Sequence, residues 1–319
     1  MKQLLTLCLG SLLLLQSKAQ HITWNNLDTL GDKVKKIQYA QLSDTTLNLY
    51  YIVPKTINKK QKLPAIVWIH GGAWTAGKAS TFFAQAAYCS LNGAVGMSIE
   101  YRLIKKAPTS INDCIEDVKN AIRFIKANAE KLQIDTNKIV LIGESAGGHL
   151  AASMVTVVKE NQYRPAALVL YNPVLDVSTG NFIRFIDANA IIHRKSNADT
   201  LALQEQFGAQ ARAISPLFHV QSNLPPMLII NGDADKATPH TITQQFCDSL
   251  AKYNNKFELV LLPNTPHAFA IAHYKTSEQQ VIDVLTLTGK FLSSLGFLNY
   301  SKTSLINSND PNWLNKRNL

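Results

Sequence analysis

One serine, one histidine and a pair of aspartates, each placed just beyond an apolar run, are the residues of this chain best suited to covalent chemistry. Ser145 stands in Gly143-Glu144-Ser145-Ala146-Gly147, directly after Ile139-Val140-Leu141-Ile142. A serine hydroxyl is a weak nucleophile until a base within hydrogen-bond reach takes its proton. His267 follows the apolar run at 259–262 and can serve as that base. A carboxylate must then fix the imidazole tautomer and stabilise the imidazolium that forms. Asp233 and Asp235 compete for this role beyond the run at 227–230. Asp233 sits against Gly232 in a tight turn, where an aspartate often bonds its own backbone. Asp235, two residues further out, is the better placed. The order serine, acid, histidine describes acyl transfer through a covalent intermediate, which calls for no cofactor and no metal.

Acyl transfer also builds negative charge on the carbonyl oxygen, so backbone donors must be aimed at that position. His70-Gly71-Gly72 ends another apolar run at 63–69. Glycines there leave both N–H groups open to close approach, and Ala146 adds its own N–H at the start of a helix, where donors are unpaired and the dipole favours an anion. Gly71, Gly72 and Ala146 are therefore the candidate oxyanion hole. The blander reading of each motif, a glycine turn after a strand, loses ground because the motifs occur together.

These residues need a scaffold that brings strand ends together. Residues 34–40 and 46–54 alternate and read as a hairpin around Ser43-Asp44. Runs at 63–69, 139–142, 166–171 and 226–230 are apolar throughout and fit strands buried on both faces, and 94–99 and 257–262, interrupted by Ser98 and Glu258, read as two more strands. Helical spacing fills 80–91, 112–132, 241–253 and 276–295. Strands alternating with helices imply an α/β fold with a mostly parallel central sheet covered on both faces, and ligands bind beyond the carboxyl ends of such strands. Serine, acid, histidine is the chain order of the α/β-hydrolase fold. Residues 177–220 break the rhythm, with helical pieces near 182–190 and 198–207, and read as a small cap insertion. Residues 21–32 read as a leader into the domain, and 296–319 as a peripheral tail. The catalytic domain is thus 20–295.

The 319 residues carry a net charge of +10 and are 46% hydrophobic, enough for one large domain. The basic residues are scattered, without an aromatic-interleaved run, which argues against nucleic acid. Residues 1–19 read as a signal peptide: Lys2, an apolar core at 4–15, then Ser17-Lys18-Ala19 with small residues for signal peptidase. That core falls short of the roughly 20 residues that span a bilayer, so stable membrane insertion is not expected, and the protein is expected in the periplasm or outside the cell. The three cysteines beyond the leader (Cys89, Cys114, Cys247) are too few and odd in number for a disulfide framework. His21, His149, His193, His219, His240 and His273 lack a strand-end context and read as structural or solvent-facing.

Taken together, His70-Gly71-Gly72-Ala73-Trp74, Glu100-Tyr101-Arg102-Leu103, Gly143-Glu144-Ser145-Ala146-Gly147-Gly148, Asp235 and His267 resemble the α/β-hydrolase esterases related to hormone-sensitive lipase. The closer likeness is to the branch with secreted bacterial acetylxylan and feruloyl esterases. The resemblance runs from about 63 to 291. It implies a Ser145–His267–Asp235 triad, oxyanion donors at Gly71, Gly72 and Ala146, and a small ester or acylated carbohydrate as substrate. Ala73 replaces a third glycine, which shifts weight onto Gly72 and Ala146. Glu100-Tyr101-Arg102-Leu103-Ile104-Lys105-Lys106 departs from the Asp-Tyr-Arg-Leu-Ala-Pro-Glu pattern, and Tyr101 and Arg102 read as loop-ordering residues. Because the first strands begin near 34, the long N-terminal cap of the lipase-like relatives is not expected. Trp74, Tyr101, Phe182, Phe185 and Phe269 are the bulky candidates for the substrate pocket. Competing readings are an arylformamidase-like amidase, a serine exopeptidase and a non-catalytic binding module; the filled triad argues against the last. Composition leaves the oligomeric state open.

Overall fold

The computed structural model describes residues 20–55, 61–105, 109–178, 182–188, 197–272, 274, 276–300 and 303–306; the signal-peptide reading of 1–19 lies outside them. In chain order the elements are β1 (Gln20–Thr23), α1 (Trp24–Gly31), β2 (Lys35–Gln41), β3 (Thr46–Ile52), β4 (Leu63–Ile69), α2 (Phe83–Leu91), β5 (Val95–Ile99), α3 (Ile111–Ala127), α4 (Ala129–Leu132), β6 (Ile134–Glu144), α5 (Ala146–Ser153), β7 (Ala167–Tyr171), α6 (Asn197–Ala213), β8 (Met227–Gly232), α7 (His240–Lys252), β9 (Phe257–Leu262), α8 (Glu278–Ser294) and β10 (Thr303–Ile306).

Eight strands form one sheet in the order β2-β3-β5-β4-β6-β7-β8-β9. The β2–β3 hairpin and the β3–β5 pair are antiparallel, and every other pair is parallel. This is the α/β-hydrolase fold. Side chains of successive residues alternate between its two faces, as strand geometry requires. Ala65, Val67, Ile69, Leu141, Leu168, Leu170 and Ile229 pack on one face, with Ile115, Val118 and Ile122 of α3 and Phe246 and Leu250 of α7. Ile66, Trp68, Val140, Ile142, Val169, Tyr171 and Ile230 pack on the other, with Leu27 of α1, Tyr88 of α2 and Val281, Leu285 and Phe291 of α8. A strand apolar at every position is the sequence mark of this two-sided burial.

The chain leaves β4 to one side to make β5, then crosses back to lay β6 on the other side of β4. The carboxyl ends of β4 and β6 therefore flank a topological switch point, where open α/β sheets hold ligands. Gly71-Gly72 and Ser145 both leave the sheet there.

The leader reading of 21–32 is corrected. β1 and α1 are folded elements, and α1 is capped by Thr23, whose hydroxyl accepts from Asn26 N–H at 3.3 Å. Trp24, Leu27 and Gly31 are buried at helical spacing, and a Cβ on Gly31 would meet the Phe83 backbone at 2.9 Å, so α1 lies tight against α2. The reading of 296–319 as peripheral is corrected for 303–306, which form β10 and pair in parallel with β1. The helix expected over 112–132 breaks at Asn128 into α3 and α4. Within 177–220 the described helical pieces are a 3-10 turn at Ile183–Phe185, α6 and a second 3-10 turn at Pro216–His219.

Candidate active site

Ser145 sits between β6 and α5 with φ 53° and ψ −116°, a backbone conformation that non-glycine residues rarely hold. Strain of this kind persists only where the surroundings over-determine it. Ser145 N–H donates to Tyr171 O at 2.9 Å, while Ser145 O accepts from His149 N–H at 3.0 Å and from Val174 N–H at 3.2 Å. The flanking glycines answer a demand for space. A Cβ on Gly143 would stand 2.2 Å from Gly147 O, and one on Gly147 would stand 2.1 Å from Ile69 O. The turn can close against β4 only without those side chains.

His267 leaves the loop after β9 and reaches back over Ser145. Ser145 Oγ donates to His267 Nε2 at 2.9 Å, and His267 Nδ1 donates to Asp235 Oδ2 at 2.7 Å. Asp235 is buried and held from all sides. Ala237 and Thr238 N–H donate to Oδ1 at 2.8 and 2.9 Å, and the Thr238 hydroxyl donates to Oδ2 at 2.7 Å. Burial raises the Asp235 carboxyl, but the His267 hydrogen bond and charge with the Thr238 donors outweigh it and hold the group below the usual aspartate range. Burial lowers His267, but the Asp235 hydrogen bond and charge, joined by the charge of Glu144, carry it above the ordinary histidine value. Asp233 is exposed, its N–H bonded to Leu262 O. Of the two competing aspartates the structure brings only Asp235 to the histidine.

After β4 the loop runs through Gly72, Ala73 and Trp74 at φ 108°, 50° and 57°. This left-handed run folds the chain back over the end of the sheet, with Thr75 and Ala76 N–H bonded to Gly72 O. Gly72 lines the cavity above Ser145, and Ala146 opens α5 beside it. Glu144 Oε2 lies 1.9 Å from where a Gly71 Cβ would be, so only a glycine lets the buried carboxyl pack against this turn. Gly71 and Gly72 both line the cavity, and Ala146 begins α5 directly after Ser145.

Three aromatic expectations are corrected. Trp74 is fully buried, because the left-handed run turns it inward against His149, Phe182 and Phe185. Tyr101 is buried behind His70, its ring stacked at 4.4 Å and its hydroxyl donating to His70 O at 2.9 Å, so it braces the loop. Arg102 likewise orders its surroundings, pairing with Asp117 at 2.8 Å and Asp113 at 3.0 Å. Phe269 packs against Tyr171 in the core under α8. Phe182 and Phe185 do line the cavity, joined by Leu175, Ile242 and Ile271. Its volume is about 830 Å³, and Arg184 and Lys236 also line it.

Glu144 and Asn172 also reach the site, beyond the residues that sequence assigned. Glu144 occupies the second place of the Gly-x-Ser-x-Gly motif, fully buried, with Oε1 4.0 Å from His267 Nε2. Asn172, at the end of β7 with φ 35°, donates from Nδ2 to Glu144 Oε1 at 3.0 Å. A polar residue ending a strand beside the motif was the available signal. His149 is buried and bonded to Ile214 O at 2.8 Å, whereas His193 and His273 lie outside the described residues. Among the described residues no cluster of three His, Cys, Asp or Glu could hold a metal ion, and no helix is long and apolar enough to cross a membrane.

The chain is 30% identical over 223 residues to the esterase LipC of Mycobacterium tuberculosis, a match covering 65% of this chain and 53% of that protein. It is 25% identical over 248 residues to a probable isoprenylcysteine alpha-carbonyl methylesterase of Arabidopsis thaliana, covering 73% and 50%. The chain thus spans about half the length of these curated relatives. A thermophilic esterase of Thermogutta terrifontis, Est2, solved with propionate bound, superposes with a TM-score of 0.72 at 30% identity, covering 84% of this chain and 96% of that one. Its butyrate-bound form superposes equally well, at the same 0.72. Residues 49–250, from β3 through the serine turn and the Asp235 loop into α7, match BD-FAE, and the chain belongs to that family of α/β-hydrolases.

Proposed function

We propose that the protein is a serine carboxylesterase that cleaves short-chain acyl esters through an acyl-enzyme. The observation that carries this reading is the continuous hydrogen-bonded line from Asp235 through His267 to Ser145, opening into a cavity beside Gly72. His267 takes the Ser145 proton as Oγ attacks the ester carbonyl. The oxyanion gathers on the N–H groups of Gly72 and Ala146, where the start of α5 favours negative charge. Collapse expels the alcohol, which takes its proton from His267. Water, deprotonated by His267, then releases the acid and restores Ser145.

Esterase relatives, and a similar structure holding propionate or butyrate, support a short acyl group. On the acyl side Phe182 and Phe185 limit the depth available, while a cavity of about 830 Å³ leaves room for a large alcohol such as an acylated sugar chain. Reading residues 1–19 as a cleaved leader places this activity in the periplasm or outside the cell, and the mature protein would then begin at Gln20.

The test is a panel of p-nitrophenyl esters from acetate to dodecanoate, with acetylated xylan and a matched anilide. We expect kcat/KM to peak between acetate and butyrate and to fall steeply by octanoate, since each methylene adds roughly 1–3 kcal/mol only while there is room for it. An optimum at dodecanoate would replace this reading with a lipase, and faster anilide than ester cleavage would replace it with an amidase.

A further inference from the structure

We propose that Glu144 is a positioning residue for acyl transfer: its buried carboxylate fixes the Gly71 peptide beside the oxyanion donors and sets a second negative charge across His267 from Asp235. The proposal rests on the esterase reading above and adds a residue to its machinery.

Three contacts define the place of Glu144. Asn172 Nδ2 donates to Oε1 at 3.0 Å and also lies 3.5 Å from His267 Nε2. Oε1 is itself 4.0 Å from His267 Nε2, on the side of the ring that faces Ser145. Oε2 fills the space a Gly71 side chain would need, so the carboxyl packs directly against the Gly71 backbone. Burial raises this carboxyl above the ordinary glutamate range, opposed by the Asn172 hydrogen bond and the charge of His267, so its ionised form belongs with a protonated His267. With Gly71 engaged this way, the next peptide, which carries Gly72 N–H, is set at the rim of the cavity. The oxyanion donors thus inherit their position from a carboxylate buried under them.

The second consequence is electrostatic. Around His267, Asp235 faces Nδ1 from the β8–α7 loop and Glu144 faces Nε2 from the end of β6. The cavity wall adds Lys236, Arg184, Asp176, Tyr274 and His70. An anion on each side of the ring favours the imidazolium that forms when Ser145 attacks. It also keeps His267 protonated, and useless as a base, to a higher pH than usual. The acidic limb of kcat/KM should therefore fall above about 6.5, the ordinary histidine value.

Glu144→Gln separates the two effects. It keeps the shape and the packing against Gly71, and a turned Asn172 amide can accept from the new NH₂, because Asn172 Oδ1 is buried with no partner. Removing the charge should move the acidic limb down by about one pH unit, with a plateau within a few-fold of wild type. Glu144→Ala loses the anchor too, and should lower plateau kcat at least about tenfold with little change in KM, the mark of lost transition-state stabilisation. Thermal melts establish that each variant is folded, and a fluorophosphonate label on Ser145 counts competent sites. An unmoved limb in folded Glu144→Gln, or a wild-type plateau in folded Glu144→Ala, overturns the role of Glu144. Ser145→Ala is run alongside: if that variant keeps its activity, the esterase reading falls and this role with it. If it is inactive while the limb stays unmoved, only the role of Glu144 falls.

Discussion

The nucleophile hangs from the middle of the sheet and the base from its edge. β6 lies between β4 and β7, and its last six residues are buried, whereas β9 has one neighbour and is only half covered. Ser145 is accordingly fixed by backbone: three main-chain hydrogen bonds and two glycines that let the turn close against β4. His267 has no such frame. It is held by side chains, through Asp235 and Thr238, and its loop is tied to α8 by a bond from Gln280 Nε2 to Thr265 Oγ1 at 2.9 Å. The difference teaches that one partner is placed by the fold itself and the other by a hydrogen-bonded network, and that the two should respond differently to mutation.

The largest effect should come from removing the nucleophile. Ser145→Ala keeps the backbone frame, so the variant should fold and melt near wild type while ester hydrolysis falls on the order of 10⁴-fold or more. A marked drop in melting temperature would mean that the hydroxyl, and not the backbone, holds the turn, and the comparison would fail on the nucleophile side.

On the base side, Asp235→Asn should cost up to about 10⁴-fold in kcat, because an amide holds the wrong imidazole tautomer. Asp233→Asn changes an exposed side chain away from the histidine, and a surface substitution of about 0.5 kcal/mol or less corresponds to roughly twofold. Parallel kcat measurements decide it. If the ranking reversed, the acid would have to be reassigned to Asp233.

The same contrast explains what the sequence discloses. The nucleophile turn is local: strand, Gly143, Ser145, Gly147 and helix all lie within a dozen residues, so its geometry follows from spacing alone. Four of the parallel-sheet strands, at 63–69, 139–142, 166–171 and 226–230, announce themselves by unbroken apolar runs. For the acid, sequence favours Asp235 over Asp233 only through turn chemistry, and the fold shows that Asp235 is the one that reaches His267 after β9. Glu144, Asn172 and Thr238 bond across separations of 28, 95 and 29 residues, and no window of sequence displays them. Trp74 misled for a related reason. An aromatic beside a glycine motif resembles a pocket wall, but three consecutive left-handed residues turn it into the core. The β1–β10 pair joins the two ends of the described chain, and its short strands carry no pattern that would predict it.

The smallest expected effect gives the sharpest view of the network. Thr238→Val keeps the shape of the side chain and removes one hydroxyl, which lies 2.7 Å from Asp235 Oδ2, 3.2 Å from His267 Nδ1 and 3.2 Å from Asn172 O. Asp235 would still accept two backbone N–H groups on Oδ1 and the His267 bond on Oδ2. One hydrogen bond among several is worth about 1 kcal/mol net, so kcat/KM should fall about fivefold. The loss should appear in kcat, since Thr238 orients the base without binding the acyl group. A loss nearing that of Asp235→Asn would show that the network has no redundancy and that the hydroxyl is what aims the carboxylate. An unchanged kcat would show instead that the two backbone donors alone fix Asp235, and the base would then be placed by main chain after all, as the nucleophile is.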